Sequence, residues 1–188
     1  IEVHKTEAPP ASPPEAASIA TPTADISSFS YAGRDCSKYG SKLQAIMWAL
    51  EQVSAADADA KVIIFSQWQL LESKISDVLS EFGIVHLRLG NCSNIFERRQ
   101  VLESFQDPTN RRARVLLLSL DGHASGTNLT CASHVFLVHP MLASTAEQQV
   151  AYERQAIGRA ARLGQRKRVT VWRFLTQGTL EEHVASSV

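Results

Sequence analysis

Short, unbroken apolar runs restrict most strongly how this chain folds. Residues 61–66 (KVIIFS), 114–120 (RVLLLSL) and 133–140 (SHVFLVHP) each contain four consecutive apolar side chains. Side chains on a strand alternate between faces, so such a run is buried only when both faces of its sheet are covered. Helical spacing fills the intervals. Leu43, Ile46, Met47 and Leu50 recur as on one face of a helix, with Ser41 placed to cap its start. Residues 69–83 read as a second helix stopped by Gly83, and residues 94–106 as a third closed by Asp107 and Pro108. A long helix is predicted over about residues 147–163, and a short one over 179–187, where Thr179 and Glu182 fit a capping box. Residues 84–90 and 169–175 complete the strands. This alternation predicts an α/β fold, a mostly parallel, doubly wound sheet flanked by helices. Ligands of such sheets bind beyond the carboxyl ends of the strands, which directs attention to the loops after Ser66, Leu89, Leu120 and Val138. No internal repeat is present.

The N-terminal stretch differs in character. Residues 8–23 (APPASPPEAASIATPT) are dominated by Pro, Ala, Ser and Thr, too little apolar area to offset the entropy of ordering. Residues 1–38 are therefore predicted to be a disordered linker, and 39–188 the folded domain. The start at Ile1 suggests a piece of something longer. No apolar run approaches a membrane span, and no secretory signal is visible, so no membrane partner is expected. Lys plus Arg and Asp plus Glu both number 19, which argues against coating nucleic acid by bulk charge but leaves room for a local basic face. Cys36, Cys92 and Cys131 are far apart and lack zinc spacing, so no metal site is expected.

The sharpest chemical signal is residues 155–165 (QAIGRAARLGQ). On a helix, Arg159 and Arg162 would share a face. Two neighbouring guanidiniums need a multiply charged anion to relieve their repulsion, and arginine, always charged and forked, suits a triphosphate. Gly158 allows a partner surface to approach closely. An isolated Arg-x-x-Arg would be read as a solvated helix face. Here Gln155, Gly158, both arginines, Gly164 and Gln165 occur together.

That string resembles motif VI of the Swi/Snf-type (sucrose non-fermenting) helicase-like ATPases, QAxGRxxRxGQ. Other segments follow the family's order: residues 40–46 (GSKLQAI) resemble the first helix of its second lobe, 61–68 motif IV, and 86–106 the segment after it. Residues 116–140 resemble motif V with its following strand, and 171–182 the closing segment. The resemblance runs from about Tyr39 to the end. It implies a RecA-like C-terminal helicase lobe of a DNA-dependent ATPase that translocates on double-stranded DNA and remodels chromatin or protein–DNA complexes in the nucleus. ATP with Mg²⁺ would be held mainly by an N-terminal RecA-like lobe. Arg159 and Arg162 would be arginine fingers, which contribute about 10³–10⁵ in rate. Gln155 and Gly158 would lie near the nucleotide, Gly126 and Asn128 near the nucleotide and the DNA backbone, and Ser66, Gln67, Trp68, Gly90, Arg98 and Ser119 on the DNA side, contacting phosphates without reading sequence.

Two stretches depart from the family pattern: residues 122–126 (GHASG) where Ala-Gly-Gly-x-Gly is usual, and 139–142 (HPML) where an acidic residue and Trp-Asn-Pro are usual. They resemble the SHPRH-like branch, whose members carry a RING finger and act as ubiquitin ligases, which would add ubiquitin-pathway proteins to nucleosomes as partners. No GxxxxGK[ST] loop and no DExH-like acidic pair occur, so the chain alone is predicted to hydrolyse no ATP. A competing reading is a non-catalytic RecA-like scaffold within a larger protein. A flavodoxin-like domain ranks last, since it gives no reason for residues 155–165. His86, His134 and His139 read as packing histidines, and Trp48 and Trp172 as core. His123 is a candidate for a role in its loop. The cluster Arg166, Lys167 and Arg168 reads as solvated.

Overall fold

The structure is a computed structural model, and it describes residues 1–8, 29–119 and 127–186. In chain order the elements are β1 (Glu2–Ala8), β2 (Ser30–Tyr31), β3 (Arg34–Asp35), a 3₁₀ turn (Ser37–Tyr39), α1 (Ser41–Ala56), β4 (Val62–Ser66), α2 (Gln69–Glu81), β5 (His86–Arg88), α3 (Ile95–Gln106), β6 (Val115–Ser119), β7 (His134–Leu137), α4 (Ala146–Ile157), β8 (Val169–Leu175) and α5 (Leu180–Ser186). The main sheet has the order β1-β8-β7-β4-β6-β5. All its pairs are parallel except β1 with β8. The mostly parallel, doubly wound sheet predicted from the alternation of runs is what the chain forms.

Alternate residues of the central strands feed two cores. Val62, Ile64, Val115, Leu117, Phe136, Trp172 and Phe174 face α1 and α2, where Ile46, Met47, Leu50, Ile75 and Leu79 meet them. Ile63, Phe65, Leu116, Leu118, Val135 and Leu137 face the other way, onto Phe105 of α3 and Ala156 and Ile157 of α4. Cover on both faces is why the strand sequences are apolar without alternation. Trp172 lies in the first core, and Trp48 is half-buried edge-on to it, with centroids 6.1 Å apart.

Three expectations are corrected. The predicted linker over 1–38 contains ordered strands. Glu2–Ala8 pairs along the whole of β8, Val3 is buried, Arg173 donates to Thr6 Oγ1 at 3.0 Å, and Arg168 ion-pairs with Glu7 at 2.5 Å. The pairing covers an otherwise open sheet edge, a gain that composition averaged with the Pro-rich residues conceals. The β2–β3 hairpin likewise packs Tyr31 edge-on to Phe82, which follows α2. The linker expected over 9–28 lies outside the described residues. Second, Gly40 rather than Ser41 is the N-cap of α1. Its φ of 81° turns the chain into the helix, and Ser41 is the first helical residue.

Third, α4 ends at Ile157 instead of near residue 163. A Cβ at position 158 would lie 2.9 Å from the Arg154 carbonyl, a crowding only glycine escapes. Beyond it the chain coils through tight turns, with Ala160 N donating to Ile157 O (3.0 Å) and Gln165 N to Arg162 O (2.9 Å). The Gln165 amide, donating to Ala132 O (2.8 Å) and Ala160 O (3.1 Å), ties this coil to the segment before β7. The predicted stop of α2 at Gly83 is seen, with φ at 72°.

Phe136 is fully buried between Trp172 and Phe174, with centroids at 5.5 and 5.3 Å. Phe136→Ala is expected to cost about 3–5 kcal/mol of stability, read as a lowered urea midpoint with little change in slope.

Candidate nucleotide and nucleic-acid interface

Register aligns the carboxyl ends of the strands. Ser66 ends β4 directly beside Ser119 of β6, and Phe65 pairs with Leu137 of β7. The described loops leaving β4 and β7, with residues 127–129 and the coil after α4, form the candidate site.

The β4 loop is tied down by side chains. Ser66 Oγ donates to Trp68 O at 3.0 Å and accepts from Trp68 N at 3.2 Å, while Ser66 itself is buried. Gln67 is committed internally. Its amide nitrogen donates to Leu142 O and its amide oxygen accepts from Leu142 N, both at 2.8 Å. Gln67 N donates to His139 Nε2 at 2.9 Å, and His139 Nδ1 is 2.9 Å from Pro140 O. Those partners require a neutral ring protonated at Nδ1. Trp68 stays 48% exposed, its ring 6.1 Å from that of His139. Of these three expected DNA-side residues, only Trp68 offers much side-chain surface to a ligand. Lys42 of α1 braces the same region, donating to Val138 O (2.7 Å) and Glu181 (2.6 Å).

Gly90 follows β5 and lies exposed against Glu72 of α2. A Cβ there would stand 3.0 Å from Glu72 Oε1. Glu72 is buried, ion-paired to Arg88 Nε at 3.1 Å, and its Oε2 has no hydrogen-bond partner among the described residues. Arg98 is half-buried on α3, whose N-terminus Asn94 caps by accepting from Glu97 N at 2.9 Å. Ser119 is buried at the end of β6.

The arginines of residues 155–165 stand in different environments. They do not share a helical face, because the helix stops before them. Arg162 is exposed in the coil, as are Gln155 and Gly158. Arg159 is 6% exposed. Its Nη1 donates to Thr127 Oγ1 at 3.0 Å, and its Nε is buried with no partner among the described residues. Burial pulls the guanidinium below the ordinary arginine range, and among the described residues no carboxylate counters it. Its carbonyl accepts from Leu129 N at 2.9 Å. Asn128 is exposed beside it, its carbonyl held by Gln106 Nε2 of α3 at 2.5 Å. Arg159 thus meets the 127–129 segment through Thr127 and Leu129, with Asn128 between them. Gly126 and His123 lie outside the described residues.

Sequence reasoning missed two participants. Thr127 and Glu72 gave no signal, since each acts through a partner distant in sequence. His139 is a buried, satisfied packing histidine as expected, and its ring also joins the β4 loop to the end of β7. His86 and His134 do pack, bonded to Ser76 Oγ (2.7 Å) and Trp172 Nε1 (3.2 Å). In the basic cluster, Lys167 and Arg168 pair with Asp57 (2.8 Å) and Glu7 (2.5 Å). Burial pushes all three thiols up in pKa, so they are poor nucleophiles. Among the described residues, no helix is long and apolar enough to cross a membrane.

Strand ends in register, with arginine-bearing turns beside them, define a RecA-like α/β lobe. The solved structure of the C-terminal part of the Fun30 ATPase domain superposes with a TM-score of 0.67 at 25% identity, over 81% of this chain and 46% of that one. Residues 41–164 match the family described as the helicase conserved C-terminal domain. The DNA repair protein RAD5 of Candida glabrata is 35% identical over 145 residues, 75% of this chain and 12% of that protein. The DNA repair protein rad8 of Schizosaccharomyces pombe is 34% identical over 76% of this chain and 12% of that protein. A DNA (cytosine-5-)-methyltransferase, DMT5, of Cryptococcus neoformans is 34% identical over 77% of this chain and 6% of its own length. The chain therefore spans about a tenth or less of these relatives. It belongs to the helicase conserved C-terminal domain family, as a lobe of the Swi/Snf type.

Burial also lowers the pKa of His139 from its ordinary 6.5, and takes His134 down to about 4, with Lys5 acting in the same direction. The unfolded chain binds these protons more readily than the fold does. Their contribution is complete above the unfolded value and is lost as pH falls through the lower folded values. Urea midpoints should drop as pH falls from about 6.5 to about 4. His139→Gln should flatten part of that slope, and an unaltered slope would remove His139 from the account.

Proposed function

We propose that this chain is the second lobe of a DNA-dependent ATPase that moves along double-stranded DNA, with Arg159 and Arg162 directed at ATP held with Mg²⁺ by another lobe. The observation that carries this reading is the state of Arg159. Among the described residues, no carboxylate opposes this buried guanidinium and its Nε has no partner, a costly state unless an anion arrives from outside. A triphosphate presented across a cleft has the charge and oxygen geometry to complete it. Bound ATP supplies the phosphoryl group and its developing charge. This chain's part is to place Arg159 and the exposed Arg162 against that charge, with Gln155 and Gly158 at the face where the lobes meet.

The nucleic-acid side is proposed along the same sheet edge. Trp68, Gly90, Arg98 and Asn128 present side chain or backbone there, Ser66 and Gln67 act from below by fixing the β4 loop, and Ser119 stands buried at the end of β6. These groups suit phosphate and sugar contacts and have no arrangement for reading base edges. The relatives named as DNA repair proteins support a nuclear setting in which nucleosomes or other protein–DNA complexes are remodelled, and their greater lengths support further domains elsewhere in the polypeptide.

The test joins this chain to the lobe that carries a phosphate-cradling loop and follows ATP turnover with and without duplex DNA. Turnover should rise with DNA and fall by about 10³-fold or more in Arg159→Ala and Arg162→Ala while circular dichroism stays unchanged. This chain alone should show none. Retained turnover in both variants removes the finger assignment, and no turnover in the intact two-lobe protein favours a non-catalytic scaffold.

A further inference from the structure

The residue that holds Arg159 has no assigned role. Residues 127–129 form a short bridge with a different attachment at each position. Thr127 Oγ1 accepts from Arg159 Nη1 at 3.0 Å. Asn128, exposed, has its carbonyl held by Gln106 of α3 at 2.5 Å. Leu129, fully buried, donates its N–H to Arg159 O at 2.9 Å. The backbone of Arg159 is therefore anchored independently of its side chain. Its guanidinium is tethered, among the described residues, by the Thr127 hydroxyl.

We propose that Thr127 is a positioning residue that holds the Arg159 guanidinium at rest until nucleic acid engages the neighbouring Asn128. This rests on the reading of Arg159 as the residue that meets ATP. A guanidinium bonded through Nη1 to a side chain of its own lobe is not free to turn its whole fork toward a phosphate. The hydroxyl lies one residue from Asn128, in a stretch pinned to α3 on one side and to the motif VI coil on the other. A shift of Asn128 by a ligand is thus passed directly to the atom that restrains Arg159. The coupling needs a single two-position element, the Thr127–Arg159 bond made or broken, which both sites bias.

The chemistry distinguishes two substitutions. Thr127→Val keeps shape and branching but removes the acceptor, and the Leu129 N–H to Arg159 O bond remains to hold the fold. Thr127→Ser keeps the acceptor. In the two-lobe protein, Thr127→Val should raise DNA-independent turnover by roughly tenfold, the weight of a hydrogen bond to a charged group, and leave DNA-stimulated turnover near wild type. The stimulation ratio would fall by the same factor, and Thr127→Ser should restore it. Equal losses with and without DNA would mean that Thr127 only supports the structure, and an unchanged ratio would mean that the bond does not restrain Arg159. A fall confined to the stimulated rate would place the hydroxyl in the working state instead. Each of these three overturns the proposal. Arg159→Ala in parallel separates the premises. If it leaves turnover intact, the finger reading fails, whereas loss of turnover in Arg159→Ala beside a wild-type ratio in Thr127→Val sinks only the tether.

Discussion

Burial of the central parallel strands on both faces is the constraint from which the rest follows. Each of β4, β6 and β7 sends alternate side chains into two separate cores, so none can slip by one residue without exchanging its whole apolar set between them. Register is thereby fixed, and with it the level at which the strands end. Ser66 and Ser119 finish side by side, and the chain beyond Leu137 continues alongside them through Val138, whose N–H donates to Phe65 O at 3.1 Å. Loops with no contact in sequence emerge along one edge because the hydrophobic layers beneath leave them no alternative.

On that edge, polar side chains do what the cores cannot. Gln67 clamps the backbone of Leu142 with both ends of its amide, and His139 receives the Gln67 N–H from the opposite direction. Lys42 closes the set from α1 by reaching Val138 O and Glu181. The result joins α1, β4, β7 and α5 through groups that each satisfy a backbone atom, which costs little because every partner is provided. Arg159 and Glu72 break that economy. Each buries a polar atom without a partner among the described residues, and such atoms are rare enough in folded proteins to demand a reason. For Arg159 the reason offered is an anion from another lobe. The structure gives no account of Glu72 Oε2.

Much of the fold was legible because its signals are local or periodic. The apolar runs identified β4, β6 and β7, the helical spacing identified α1 to α3, and Gly83 marked the end of α2. Failures came where long-range contacts overrode local character. Glu2–Ala8 has an unremarkable composition, and only the open edge of β8 makes it a strand. Residues 158–165 extend a good helical pattern, but Gly158 and the anchors on Leu129 and Ala132 coil them instead. The site was half legible. Its motifs named Arg159, Arg162 and Asn128, but not which arginine is buried, nor Thr127 and His139, whose roles exist only through a partner in another segment.

The sequence by itself determined the sheet, its two-sided cover, the edge where ligands are sought and the family to which the lobe belongs, since these depend on the order and period of apolar residues and on a few contiguous strings. Only the tertiary structure decided that Gln67 is spent on the fold, that Arg162 faces solvent, and that Arg159 is withdrawn from water against the Thr127 hydroxyl. The physical reason is that burial and hydrogen bonding are properties of pairs brought together from distant parts of the chain. Thirty-two positions separate Thr127 from Arg159, and no local pattern records a distance closed by folding.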